Sequence, residues 1–182
     1  MEAKSTTAGT QFAIREYRAS DFGRLWQIDQ LCFPAGIAYS QMDLNGFIAR
    51  RNSITLVAES QMAIGTGDNV KPRASSSQFA AVETGAEAIV GFVVAQRRRN
   101  VGRILTLDIL PKARRFGLGS LLMEKCEQRL RLAGCDEIYL ETAVNNEPAL
   151  ELYHKLGYKI LQTVPEYYSS HALDAFRMGK RL

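Results

Sequence analysis

The sequence predicts a single α/β domain built on a mixed sheet of six or seven strands with about four helices. Three observations carry that prediction. The first is the stretch from Ile104 to Leu122, which is apolar and partly alternating as far as Leu110, stops at Pro111, and passes through two closely spaced glycines into an amphipathic helix. The second is the order of patterns: two helices precede a meander of strands, and strand–helix–strand–helix follows. The third is composition, 46% hydrophobic over 182 residues, enough for one core. No apolar run reaches membrane-spanning length, and no repeat is visible.

Met1 to Gln11 is polar and rich in small residues, which predicts a disordered tail without a signal peptide and hence a cytoplasmic protein. Phe12 to Arg18 alternates as a first strand. Ser20 or Asp21 caps a helix in which Phe22, Leu25, Ile28 and Leu31 recur at helical spacing, with Trp26 packed on the core. Cys32 to Tyr39 is a loop, punctuated by Pro34 and Gly36 and unusually apolar for one. Ser40 caps a second helix carrying Leu44, Phe47 and Ile48, and Ile54 to Ala58 is a strand.

From Glu59 to Glu87 the periodicity vanishes, and a mobile insertion is expected at about residues 61–87 within a single domain of residues 12–182. Ala88 to Ala95 and Val101 to Leu110 are β-branched strands. Gly117 to Ala133 is a helix with Leu118, Leu121, Leu122, Cys126, Leu130 and Ala133 on one face, closed by Gly134 in a left-handed cap. Glu137 to Thr142 is a strand, and Asn146 caps a helix through Lys155 with Leu150, Leu152 and Leu156 turned inward and Gly157 ending it. Tyr158 to Val164 and Ala172 to Met178 form a closing hairpin.

The net charge of +4 suits anionic partners, but Arg97-Arg98-Arg99 reads as a solvated turn without an accompanying nucleic-acid motif, so no direct nucleic-acid partner is expected. Three cysteines and two histidines, none at metal-ligand spacing, predict neither a disulfide framework nor a metal site. The sequence is compatible with a monomer or a homodimer.

Chemistry concentrates at the glycines. In Arg114-Arg115-Phe116-Gly117-Leu118-Gly119, the glycines let main-chain N–H groups curl toward one point where a helix begins, and the helix start adds unpaired donors and partial positive charge. A pyrophosphate fits that geometry, with Arg114 and Arg115 adding charge.

This Arg-x-x-Gly-x-Gly run resembles the acyl-CoA-binding motif of the GCN5-related N-acetyltransferase (GNAT) superfamily, and the resemblance spans about Phe12 to Leu182 with one gap at Glu59–Glu87, where the family has a tight turn. It implies the GNAT fold and acetyl-CoA as co-substrate, with no metal. Arg114, Arg115, Phe116, Gly117, Leu118, Gly119 and Ser120 would bind the diphosphate, backbone amides at Ile109 and Leu110 the acyl carbonyl and pantetheine, and Asn146 the pantetheine arm. Leu140 to Ala149 is similar to the second block of protein N-terminal acetyltransferases, L-E-x-x-x-x-N-x-x-A. That likeness gives Glu141 the role of general base or substrate-orienting residue; a salt-bridged sheet carboxylate is the alternative. Asp108, on one face with Thr106 and Leu110, is a competing carboxylate that would also reach the groove. Tyr153, within Leu152 to Tyr158, resembles the tyrosine of the family's LYxKLGF element, which protonates the leaving sulfur. Phe33, Pro34 and Tyr39 match one wall of the peptide groove in these enzymes, and Tyr167-Tyr168 the tyrosine pair that closes it in ribosomal-protein-type members. The implied activity is transfer of acetyl to the N-terminal α-amine of a protein or peptide by direct attack in a ternary complex. A small-molecule amine or a lysine side chain is the alternative acceptor, and a non-catalytic acyl-CoA-binding module the third reading.

Overall fold

The computed structural model describes residues 12–60, 88–168 and 172–182. The tail expected at 1–11 and the insertion expected at 61–87 lie outside the described residues. In chain order the elements are β1 (Phe12–Glu16), α1 (Phe22–Cys32), α2 (Gln41–Ile48), β2 (Ser53–Ser60), β3 (Ile89–Arg98), β4 (Val101–Ile109), α3 (Leu118–Leu132), β5 (Glu137–Ala143), α4 (Glu147–Lys155), β6 (Lys159–Tyr168) and β7 (Leu173–Arg181). They form a seven-stranded sheet in the order β1-β2-β3-β4-β5-β7-β6, in which β4 and β5 are parallel and every other pair antiparallel.

β3 is buried on both faces from Ile89 to Ala95, which is why its sequence is continuously apolar rather than alternating. α3 covers one face with Leu118, Leu122, Met123, Cys126 and Leu130; α1 and α2 cover the other with Leu25, Ile28 and Leu44. Each such burial is worth roughly 1.5–3 kcal/mol relative to exposure. Gly102 lets α3 approach β4, since a Cβ there would sit 2.7 Å from a Leu130 methyl. The expected caps form at Ser40, whose Oγ accepts from the Asp43 amide at 3.1 Å, and at Asn146, whose Oδ1 accepts from the Ala149 amide at 3.4 Å. Gly117, Gly134 and Gly157 take left-handed φ values of 79°, 86° and 85° at helix boundaries.

One local expectation is corrected. Asp21 does not cap α1; its carboxylate accepts from the Arg18 amide at 2.7 Å and is forked by Arg15 at 2.7 and 3.0 Å. On α4 Leu150, Leu152 and Leu156 turn inward as expected and lie half-buried against the core, with Tyr153 buried beside them. The closing hairpin forms, with β6 and β7 paired antiparallel; β7 lies between β5 and β6, so the last strand is internal and β6 is the edge.

Two irregularities position the site. β4 and β5 pair only from Val101↔Glu137 to Arg103↔Tyr139 and then part, leaving a fork in the middle of the sheet. β4 also carries one residue more than β3 at Leu105, between the pairs Ala95↔Ile104 and Val94↔Thr106. Before this bulge Gly102 faces Leu130 of α3; after it Ile109 is the residue that reaches Gly119 of α3. The extra residue thus turns Thr106 and Asp108 toward α1, and Leu107 and Ile109 toward α3.

Candidate active site

The fork opens into a cleft of about 880 Å³ that runs through the sheet from the start of α3 to the loop after α1. Its α3 end is made largely of main chain. Arg115 and Gly117 both adopt positive φ, 71° and 79°, so the turn before α3 curls tightly. The first α-helical bond here is Leu121 N–H to Gly117 O at 3.1 Å, and α3 has no side-chain cap. α2 and α4 are capped; α3 presents the N–H groups of Leu118, Gly119 and Ser120 without a partner among the described residues. Gly117, Leu118, Gly119 and Ser120 line the cleft together with Arg114, Arg115 and Asn146. A Cβ on Gly119 would meet Leu152 at 3.0 Å and Ile109 at 3.3 Å, so this glycine seats α3 close to β4 and α4. An anionic diphosphate fits such an uncapped start; the residues present suit the group the sequence motif implies.

One expectation at this end is corrected. The Leu110 amide donates to Val90 O at 2.9 Å and is buried behind the cleft wall, so it is not available to an acyl carbonyl. The Phe116 ring is exposed and stacks edge-on to Phe12, with centroids 6.4 Å apart, outside the cleft lining; the role expected of this residue is one of its main chain. Ile109 does line the cleft, with its carbonyl taken by Arg114 Nε at 2.9 Å and by Cys32 Sγ at 3.3 Å.

The opposite end is made of side chains. Phe33, Pro34, Ile37 and Tyr39 come from the loop after α1, and Tyr167 and Tyr168 from the end of β6; together they wall the cleft. Tyr39 is fixed by its hydroxyl, which donates to Leu105 O at the bulge (3.2 Å), and by an edge-on contact with Phe47 at 5.2 Å. Tyr167 and Tyr168 stack edge-on at 4.9 Å. Burial pushes the phenols of Tyr39 and Tyr153 up, and that of Tyr168 up to about 12. Tyr153, between the two ends, therefore stays a hydrogen-bond donor at neutral pH.

Glu141 lines the cleft with a side chain only 2% exposed. Both its oxygens are engaged: Oε2 by Arg103 Nη2 at 3.0 Å, Oε1 by Arg177 Nε at 2.9 Å. Arg103 Nη2 also donates to the Tyr167 hydroxyl at 3.0 Å. Neither arginine was singled out in the sequence. They come from β4 and β7, 38 and 36 residues from Glu141 along the chain, and only strand pairing brings them together. The one sequence signal available was alternation, which places both on solvent-facing positions of strands.

Asp108 is also corrected: it is fully buried and does not line the cleft. It accepts from the Thr106 hydroxyl, while its other oxygen has no partner among the described residues. Across from it on α1, Asp29 accepts from the Tyr39 amide at 2.9 Å and from Gln30 at 3.0 Å, with its other oxygen likewise unmatched. Burial pushes Asp29 up to about 6, and burial, with Asp29 nearby, pushes Asp108 well above the ordinary range. Asp108 thus lies behind Thr106, walled off from the cleft. Cys32 lies at the cleft, but burial and then Asp108 push its thiol up to about 11, which leaves it unreactive. Among the described residues, no group of acidic, histidine or cysteine side chains could hold a metal ion.

Comparison with known proteins places these features in company. The model of the acetyltransferase (GNAT) family matches residues 65–158. An N-alpha-acetyltransferase from Sulfurisphaera tokodaii is 25% identical over 183 aligned positions, covering all of both chains. The fold is shared with the crystal structure of Ard1 from Thermoplasma volcanium, with a TM-score of 0.71 and 24% identity over 94% of this chain and 98% of that one. It is also shared with Arabidopsis thaliana NAA60 in complex with acetyl-CoA, with a TM-score of 0.73 and 18% identity over 94% of this chain and 98% of that one.

Proposed function

The chain belongs to the acetyltransferase (GNAT) family, and from that premise we propose that it transfers acetyl from acetyl-CoA to the N-terminal α-amine of a protein or peptide, by direct attack in a ternary complex. We take residues 12–182 as one catalytic domain acting in the cytoplasm. The observation that carries the reading is the pairing of two unlike ends in one cleft: uncapped helix N–H groups at one, a cage of aromatic side chains at the other.

At the first end, the amides of Leu118, Gly119 and Ser120, with Arg114 and Arg115, hold the diphosphate; Ile109 and Asn146 lie along the pantetheine arm. Held there, the thioester meets the amine as a neighbour rather than by collision. An α-amine has a pKa of about 7.7–8.0, so a useful fraction is neutral at physiological pH and water suffices to take its proton. The nitrogen attacks the thioester carbonyl, the C–N bond forms, the C–S bond breaks, and CoA leaves as a thiolate. Tyr153, kept as a phenol by burial, donates to the departing sulfur. Glu141, with both oxygens held by arginines, orients the acceptor through Arg103 and the Tyr167 hydroxyl. Phe33, Pro34, Tyr39 and Tyr168 enclose the first residue and exclude a long internal lysine arm.

The archaeal relative named N-alpha-acetyltransferase over its full length supports an α-amine over a small amine. A panel of peptides incubated with acetyl-CoA and read by tandem mass spectrometry tests it. Acetyl on the α-amine is expected; acetyl confined to lysine side chains, or transfer to polyamines alone, overturns the reading.

A further inference from the structure

One cluster holds more positive charge than the carboxylate within it requires. Arg103, Tyr139, Glu141 and Arg177 share a face of the sheet, since Arg103 pairs with Tyr139 and Glu141 with Arg177 across neighbouring strands. A single forked arginine satisfies one carboxylate. Here two guanidiniums converge on Glu141, leaving a net charge of +1. Arg103 Nη1 and both Nη groups of Arg177 bond no described residue. Their side chains remain 38% and 37% exposed while Glu141 is sealed beneath them. Both are held in place by Tyr139, whose ring centroid lies 5.8 Å from Arg103 Cζ and 5.3 Å from Arg177 Cζ. Further along the same face, Glu137 is opposite Arg181 and Lys159 opposite Gly179, so among the described residues of these strands no surplus of acid offsets the pair.

The cluster joins the cleft at its acceptor end, through Glu141 and the Tyr167 hydroxyl. α1 and α2 pack chiefly over β2, β3 and β4, so Arg177 on β7 stands beyond that cover, while Arg103 on β4 keeps an exposed guanidinium. A polypeptide whose first residue sits among Tyr39, Tyr167 and Tyr168 has this face beside its exit. We propose that Arg103 and Arg177 read the acceptor downstream of its amine, and that the preferred acceptors are polypeptides with carboxylate side chains in the few residues after the first. The inference rests on the α-amine reading above. Prealigned guanidiniums lose little freedom on meeting a carboxylate, and their charge also steers an acidic segment toward the cleft.

The test uses the full chain and peptides that share a first residue but carry Asp/Glu, Ser/Gln or Lys/Arg at positions two to five. KM for the acidic set should be lower than for the basic set by roughly three- to tenfold, with kcat little changed and the gap narrowing as salt rises. Arg177→Glu should invert the order, and Arg177→Lys should keep it. Equal KM values across the sets, or a preference for basic peptides, overturns the proposal, and the unmodified protein decides this alone if a variant fails to fold. α-Acetylation without charge preference defeats this inference only; absence of α-acetylation on every peptide defeats the α-amine reading as well.

Discussion

The two ends of the cleft are built of different materials. The end at α3 uses main chain: an uncapped helix start, two left-handed residues at Arg115 and Gly117, and a glycine where a Cβ would strike Leu152. The other end uses side chains fixed by one another: Tyr39 on the Leu105 carbonyl, Tyr167 on Arg103, and Arg103 on Glu141. Main-chain donors suit a partner that is always the same, because they cannot be exchanged by mutation. Side chains suit a partner that differs between relatives, because each can be replaced without refolding the scaffold.

That contrast can be broken at its centre. Tyr153 lines the cleft between the two ends; with the role proposed for it at the leaving sulfur, Tyr153→Phe should lower kcat about 100-fold while leaving acetyl-CoA affinity within about twofold. Stopped-flow turnover with calorimetric binding checks both, and unchanged turnover removes the residue from the chemistry. A smaller effect confined to the carrier end is expected from Gly117→Val. A left-handed φ costs an L-residue about 1–2 kcal/mol, more for a branched one, so acetyl-CoA should bind about tenfold or more weakly with acceptor KM unaltered. If acceptor KM moved equally, the two ends would not be independent.

The smallest effect sharpens the account of the acceptor wall. Asp29 has its folded pKa raised to about 6 by burial, so the folded state binds more protons than the unfolded one between about pH 4 and 6. Stability from this group is therefore fully present below about pH 4 and lost as pH rises through 6. In Asp29→Asn, which keeps an oxygen for the Tyr39 amide, the melting temperature should fall less between pH 4 and 6.5 than in the unmodified protein, by a few degrees. An identical slope in both would show that Asp29 ionises without cost.

What could be read from the chain follows the same division. The caps at Ser40 and Asn146, the left-handed glycines and the turn before α3 are local, each decided by a few consecutive residues. Tyr153, Phe33, Pro34, Tyr39 and the Tyr167-Tyr168 pair were found by likeness to a family motif, and all of them line the cleft. The sequence did not disclose what depends on strand pairing. Leu110 looks like a free amide until β3 supplies Val90 O, and Asp108 looks available until α1 closes over it. Arg103 meets Glu141 only once β4 and β5 pair, and Arg177 only once β7 has entered between β5 and β6.

The fork between β4 and β5 has a mechanical consequence. Beyond the three residue pairs that join them, the sheet is two panels, β1 to β4 and β5 to β7 with β6, meeting along a short seam. At the level of that seam, where Lys180 of β7 pairs with Ile138, the panels are riveted by Glu127 of α3, which grips Lys180 at 2.8 Å and accepts from the Tyr158 hydroxyl at 2.8 Å. A molecule lodged in the gap and touching both panels acts as a third fastener. Loading the protein with its carrier should thus stiffen the whole sheet rather than a single loop.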